Sequence, residues 1–191
     1  PLQSQYLLTK LYSIEKDTRL YVFKPEKLLE ALKDAEKALL LRGSDAFSHF
    51  AIAKIETYST WPNGSQANSF NYSELNNSAY FEKANEDFKK AATKAPNYAP
   101  IYLEWGKMLL RYHLYHELAG KRYLPNYKPQ QIIQMFEKYL SLVPAYYKWK
   151  DDLSNRTQEE QNQYRIFYKL HPDFDEVFRY MEMAKITINK E

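Results

Sequence analysis

The sequence predicts an all-α protein that forms one domain over residues 1–191 as a solenoid of helical hairpins. Apolar residues recur at spacings of three and four along most of the chain, which is typical of amphipathic helices. Only 4 glycines are present, fewer than the turns of a β-sandwich or β-barrel require. A pattern of small, aromatic and helix-ending residues also recurs along the chain, and internal repeats of this kind indicate stacked hairpins.

The first three helices are predicted from apolar stripes and from the residues that end or cap them. A first helix has its apolar stripe within residues 7–14. Pro25 opens a second helix, because proline is favoured in the first turn, and Gly43 ends it. Ser44 or Asp45 then caps a third helix, since short polar side chains accept hydrogen bonds from the first backbone amides.

Five further helices are predicted by the same criteria, over residues 79–95, 99–118, 129–143, 158–170 and 174–188. Long loops are expected where turn-forming and polar residues interrupt the helical pattern, near residues 61–78, 119–128 and 145–157. The sequence therefore predicts about four hairpins with irregular insertions between them.

The clearest repeat places small, aromatic and helix-ending residues in a fixed order: Ala84, Phe88, Ala91 and Pro96, then Tyr102, Trp105 and Gly106. Small residues let two helices approach closely, and Phe88 is expected to fill the gap between them. Pro96 cannot continue a helix. Gly106 is expected where a neighbouring helix leaves no room for a side chain.

This pattern resembles the tetratricopeptide repeat family, and weaker copies of it end at Gly43, Pro144 and Pro172. The resemblance implies a right-handed solenoid that binds protein partners without catalysing a reaction. The distances from Gly43 to Pro96 and from Pro96 to Pro144 exceed the family's period of about 34 residues. The distance from Pro144 to Pro172 is shorter than that period, so we expect an irregular solenoid.

In this family the first helix of each hairpin lines a concave groove. The resemblance places eight residues of this chain there: Phe47, Phe50, Lys54, Leu103, Lys107, Leu110, Arg179 and Met183. Apolar side chains beside Lys and Arg suit an extended protein or peptide partner with an acidic group. The alternative interpretation is that these residues are ordinary core and solvated surface.

A basic and aromatic patch is a second candidate site: Lys121, Arg122, Tyr123, Tyr127, Lys128, Tyr147, Lys148, Trp149 and Lys150. Such residues can bind phosphates, stack on bases or on the sugars of a glycan, or contact an anionic membrane surface. The alternative is a pair of loops around one buried helix. The net charge is only +3, which gives no strong signal for nucleic-acid binding.

No catalytic residue, cofactor or metal site is predicted. His113 and His116 are spaced to share one helix face, but no second pair of zinc ligands accompanies them. The sequence has no nucleophile-elbow serine and no phosphate-binding glycine loop. The longest apolar runs are far too short to span a bilayer.

A narrower resemblance leads to an alternative function. The stretches PNYAPIYLEWGKMLL and FYKLHPDFDEVFRYMEMAKI resemble the soluble repeat region that follows the membrane spans of bacterial O-antigen ligase or polymerase-type proteins. This resemblance implies an accessory tail that assists surface polysaccharide assembly, on the soluble face of a membrane protein. The chain begins at Pro1 without Met, so we expect it to be part of a longer protein.

Overall fold

The computed structural model describes residues 33–34, 36–37, 40, 45–59, 78–119, 122–171 and 174–188, and all regular structure within these ranges is helical. It comprises helices α1 (Ala46–Ser59), α2 (Ser78–Lys94), α3 (Ala99–Ala119), α4 (Gln130–Leu142), α5 (Gln158–Leu170) and α6 (Phe174–Ile188). Two short 3₁₀ helices, Ala145–Trp149 and Leu153–Asn155, lie between α4 and α5. The predicted all-α class is confirmed.

The helices predicted for the second half of the chain agree with the structure to within two residues at each end, and α5 and α6 have the predicted bounds. The stretch 145–157, predicted to be irregular, instead contains the two 3₁₀ helices. Of the two helices predicted before residue 44, only positions 33–34, 36–37 and 40 are described, and they are helical. Residues 61–77 of the predicted loop at 61–78 lie outside the described residues, and Ser78 begins α2.

Side-chain caps explain where two of the helices begin. The Asp45 carboxylate accepts hydrogen bonds from the backbone amides of Phe47 at 2.8 Å and Ser48 at 3.0 Å, which confirms one of the two predicted caps of α1. Helix α5 begins with a reciprocal pair, in which Thr157 accepts from the Glu160 amide and Glu160 accepts from the Thr157 amide. These bonds satisfy amides that a helix leaves without an internal partner.

The helices pack in a regular order along the chain. Helix α1 packs against α2, α3 packs against α4, and α3 also contacts both α1 and α2. Helix α6 contacts α3 and α4, whereas α5 packs against the first 3₁₀ helix. Helix α6, and not α5, is therefore the helix after α4 that packs on both α3 and α4.

The residues of the clearest repeat are packed as the pattern predicts. Ala84, Phe88 and Ala91 are fully buried, and the Phe88 ring lies 6.1 Å from the rings of both Phe50 and Trp105. Phe88 thus fills the space between α1, α2 and α3. Because α2 ends at Lys94, just before Pro96, the predicted role of that proline is also consistent with the helix bounds.

Helices α1 and α3 are the central helices of the described structure. Every residue from 46 to 57 is buried except Phe47, and no residue of α3 is exposed before Glu117 among those described. Both helices are therefore enclosed by other parts of the chain, and α1 buries charged side chains as well, among them Lys54 and Glu56. Among the described side chains of helices α1 to α6, the exposed ones therefore belong to α2, α4, α5 and α6, apart from Phe47 of α1 and Glu117 of α3.

Candidate functional site

Three of the residues predicted to line the groove lie in the core. Phe50, Leu103 and Leu110 are 1%, 8% and 4% exposed, so their side chains contact neighbouring helices of the same chain. Phe47, at the start of α1, remains 39% exposed and packs edge-on against Tyr98 with 5.1 Å between ring centroids. Within this part of the predicted groove, only Phe47 presents an apolar surface to solvent.

The two lysines predicted to line the groove lie on either side of one carboxylate. Lys54 Nζ of α1 lies 3.9 Å from Glu104 Oε2 of α3, and Lys107 Nζ lies 3.0 Å from Glu104 Oε1. The three side chains are only 4%, 11% and 16% exposed for Lys54, Lys107 and Glu104. The cluster therefore connects α1 to α3 from a largely shielded position.

The sequence alone does not reveal Glu104 as the partner of these lysines, because Lys54 lies on another helix. Burial alone would raise the pKa of Glu104, but the charges of Lys54 and Lys107 and a hydrogen bond from Lys107 lower it to about 2. The charge of Arg111 also contributes to this lowering of the pKa. A carboxylate with so low a pKa stays ionised and is a poor proton acceptor at neutral pH. The cluster therefore suits helix association better than acid–base chemistry.

The remaining two predicted groove residues lie on α6, where the surface is open. Arg179 is exposed and pairs with Glu176 at 3.3 Å, and Met183 is half-buried. Two large apolar side chains of the same helix are also accessible, Phe178 at 46% and Ile186 at 54%. By helical periodicity Phe178, Arg179 and Ile186 fall on one side of α6.

The basic and aromatic patch is divided into two groups by α4. Arg122, Tyr123, Tyr127 and Lys128 precede this helix, and residues 147–150 follow it. Helix α4 has 13 residues, and a helix of that length spans about 20 Å. The two groups therefore lie at opposite ends of α4, and Lys121 lies outside the described residues.

The tyrosines of the group before α4 pack against α3. The Tyr123 ring stacks on Tyr127 and His113 at centroid distances of 5.0 Å and 5.4 Å. The Tyr123 hydroxyl donates to Glu117 and lies 2.9 Å from His113 Nδ1. These contacts attach the loop before α4 to α3.

The aromatic residues of the group after α4 also face the protein. The ring centroid of Tyr147 lies 4.9 Å from that of Phe174 on α6. The Trp149 ring is covered by the Arg156 guanidinium, 4.6 Å from its centroid. Lys150 Nζ lies 3.3 Å from Asp175 Oδ2, which joins the first 3₁₀ helix region to α6.

The two histidines of α3 have packing roles in the structure. His113 is fully buried, with Nε2 3.1 Å from Thr187 Oγ1 of α6. The His116 ring lies 4.2 Å from the ring of Tyr112. Among the described residues, no three His, Asp or Glu side chains are grouped closely enough to hold a metal ion.

Comparison with protein-family models finds no family that matches this chain, and comparison with curated proteins finds no matching relative. In the described ranges, no helix has both the length and the apolar character needed to cross a membrane. Three features bear on function: the order of helix packing, the shielded cluster around Glu104, and the open face of α6 that is formed by Phe178, Arg179 and Ile186.

Proposed function

We propose that this chain is a non-catalytic scaffold of the tetratricopeptide type that binds a protein partner through the open face of α6. The order of helix contacts supports the proposal: α1 pairs with α2, α3 pairs with α4, and α6 lies against both α3 and α4. A first helix of a following hairpin would make the contacts that α6 makes, as expected for a stack of hairpins that touch only their neighbours.

The side chains of α6 suit a partner helix with an apolar stripe and mixed charges. Phe178 and Ile186 are accessible, while Arg179 and Glu176 provide both signs of charge beside them. Protein interfaces commonly combine aromatic residues and Arg in this way. The Phe178 ring contacts Phe174 at 5.6 Å, so part of its conformational freedom is lost before a partner binds.

The alternative function, an accessory region for surface polysaccharide assembly, requires a surface that binds a glycan or an anion. The residues best suited to that role lie at opposite ends of α4, and Trp149 is covered on one face by Arg156. A protein partner is therefore the better-supported occupant. A crosslink from position 178 to a saccharide would favour the alternative.

Site-specific photo-crosslinking tests the proposal. A benzophenone amino acid at position 178 should crosslink a protein that the same group at Asn162, an exposed residue of α5, does not. With that partner purified, Ile186→Ala should weaken binding at least about fivefold, since truncating a central apolar contact costs about 1 kcal/mol or more. The matched control is Ile166→Ala on α5. Equal crosslinking at positions 178 and 162 would contradict the proposal.

A further inference from the structure

Glu56 is a buried carboxyl group on α1 that lacks full hydrogen bonding. Its side chain is 5% exposed, and Oε2 has no hydrogen-bond partner among the described residues. Buried polar atoms are satisfied in the great majority of cases, because leaving one without a partner costs free energy. A protonated carboxyl group is much less costly in such a position than a carboxylate.

The charged groups around Glu56 come mainly from α2. Asp87 is held by His49 Nδ1 at 2.7 Å and by Lys90 Nζ at 3.7 Å, and it acts on Glu56 as a like charge. Lys83 and Lys90 oppose that effect, and Glu36, which precedes α1, adds to it.

The neighbouring charges on α1 and α3 do not relieve Glu56. Lys54 precedes Glu56 by two residues, so it lies on another side of α1, where it pairs with Glu104 of α3. His49 lies two helical turns before Glu56 on α1 and is paired with Asp87.

Burial is the largest influence on this group, and the negative charge of Asp87 is the next. Together they raise the pKa of Glu56 to about 7, against the partial compensation from Lys83. The carboxyl group is therefore neutral in mildly acidic solution and gains a charge within the physiological pH range. Ionisation places a second negative charge opposite Asp87 in the contact between α1 and α2.

We propose that Glu56 makes the α1–α2 hairpin responsive to pH, so that the helices pack closely when it is protonated and separate more readily when it ionises. A buried carboxylate must be hydrated or paired, and local opening of the hairpin admits the water that it needs. Folding raises the pKa of Glu56. The stability that its bound proton contributes is therefore fully present below the ordinary glutamate pKa and is lost as pH rises through the pKa of the folded protein. Helix α1 is central, so the change extends to its contact with α3.

Carbon-13 NMR of the full chain measures the proton on Glu56 directly. The side-chain carboxyl resonance of Glu56 should titrate with a midpoint within about one unit of 7. A midpoint near the ordinary glutamate value would overturn the proposal. This measurement uses the unaltered protein and does not depend on any variant folding correctly.

Hydrogen exchange then tests the consequence for the hairpin. After correction for intrinsic rates, the opening equilibrium of amides in α1 and α2 should rise about tenfold between pH 6 and pH 8, while amides in α5 change little. Glu56→Gln should abolish that rise, and Glu159→Gln, the same change at an exposed site, should preserve it. The same rise in Glu56→Gln as in the unaltered protein would overturn the proposal.

Discussion

Gly106 lies so close to Phe136 that a Cβ atom at residue 106 would be 2.7 Å from the ring carbon Cε1. Phe136 itself is fully buried, so its ring has little room to move. The glycine thus sets how closely α3 and α4 approach. The repeat pattern predicted a crowded position here, and this contact confirms it.

Substitution Gly106→Ala should destabilise the protein by about 1–2 kcal/mol. Overpacking a core typically costs about 1–3 kcal/mol, and the better helix propensity of alanine offsets up to about 1 kcal/mol of that. Urea unfolding followed by circular dichroism measures the difference. The double variant Gly106→Ala/Phe136→Leu should recover part of the loss, because leucine vacates the ring positions. If the single variant is as stable as the original protein, the close contact costs no more than the gain in helix propensity offsets, which would contradict the prediction.

The protein should lose stability in acid because the Glu104 carboxylate becomes protonated. Its pKa is lowered to about 2 in the folded protein, so its contribution is present above the ordinary glutamate value and is lost as pH falls from there to about 2. That contribution amounts to about 3 kcal/mol, from about 1.4 kcal/mol for each pKa unit. The free energies of unfolding of the original protein and of Glu104→Gln, measured across this pH range, should converge in acid.

Glu137→Gln, an exposed substitution on α4, is the control for the Glu104 measurement and should parallel the original protein at each pH. A stability difference between Glu104→Gln and the original protein that stays constant from neutral pH to acid would contradict the assigned role. Glu104 and Glu56 thus have opposite effects, since folding lowers one pKa and raises the other.

Much of the fold was predictable because its signals are local. The helix bounds follow from proline positions, from the capping carboxylate of Asp45 and from apolar periodicity. Each of these signals lies within a few residues of the helix end that it determines. The burial of Lys54 was not predictable in the same way, because its partner Glu104 lies on another helix. A lysine in a helix ordinarily suggests a solvated face, and only the packing of α1 on α3 shows otherwise.

The division of the basic and aromatic patch could have been predicted. A helix between Pro129 and Pro144 was expected from the sequence, and its length alone separates Lys128 from Lys148 by about 20 Å. The two groups are close in sequence, which suggested a single surface. Helix α4 lies between them and keeps them apart. The spacing of Glu104 and Lys107 was a similar signal, since residues three apart on a helix are neighbours.

The bond between His113 and Thr187 should stabilise the contact of α3 with α6. Thr187→Val removes the hydroxyl near His113 Nε2 and should cost about 1–2 kcal/mol, as for loss of a buried hydrogen bond. Tyr123→Phe removes the hydroxyl near Nδ1 of the same imidazole. A double-mutant cycle in urea should give a coupling of at least about 0.5 kcal/mol, and strictly additive effects would show that the two bonds are independent.

Helix α5 should unfold locally when its cap is removed, with little effect on the rest of the chain. Phe167 is its only buried residue, and its first turn depends on the reciprocal bonds between Thr157 and Glu160. Thr157→Ala should destabilise this turn by about 1 kcal/mol, which raises amide exchange within α5 by about fivefold. Exchange in α3 and α4 should stay unchanged, because α5 packs mainly on the first 3₁₀ helix. An equal increase in all helices would instead mean that α5 unfolds only together with the core.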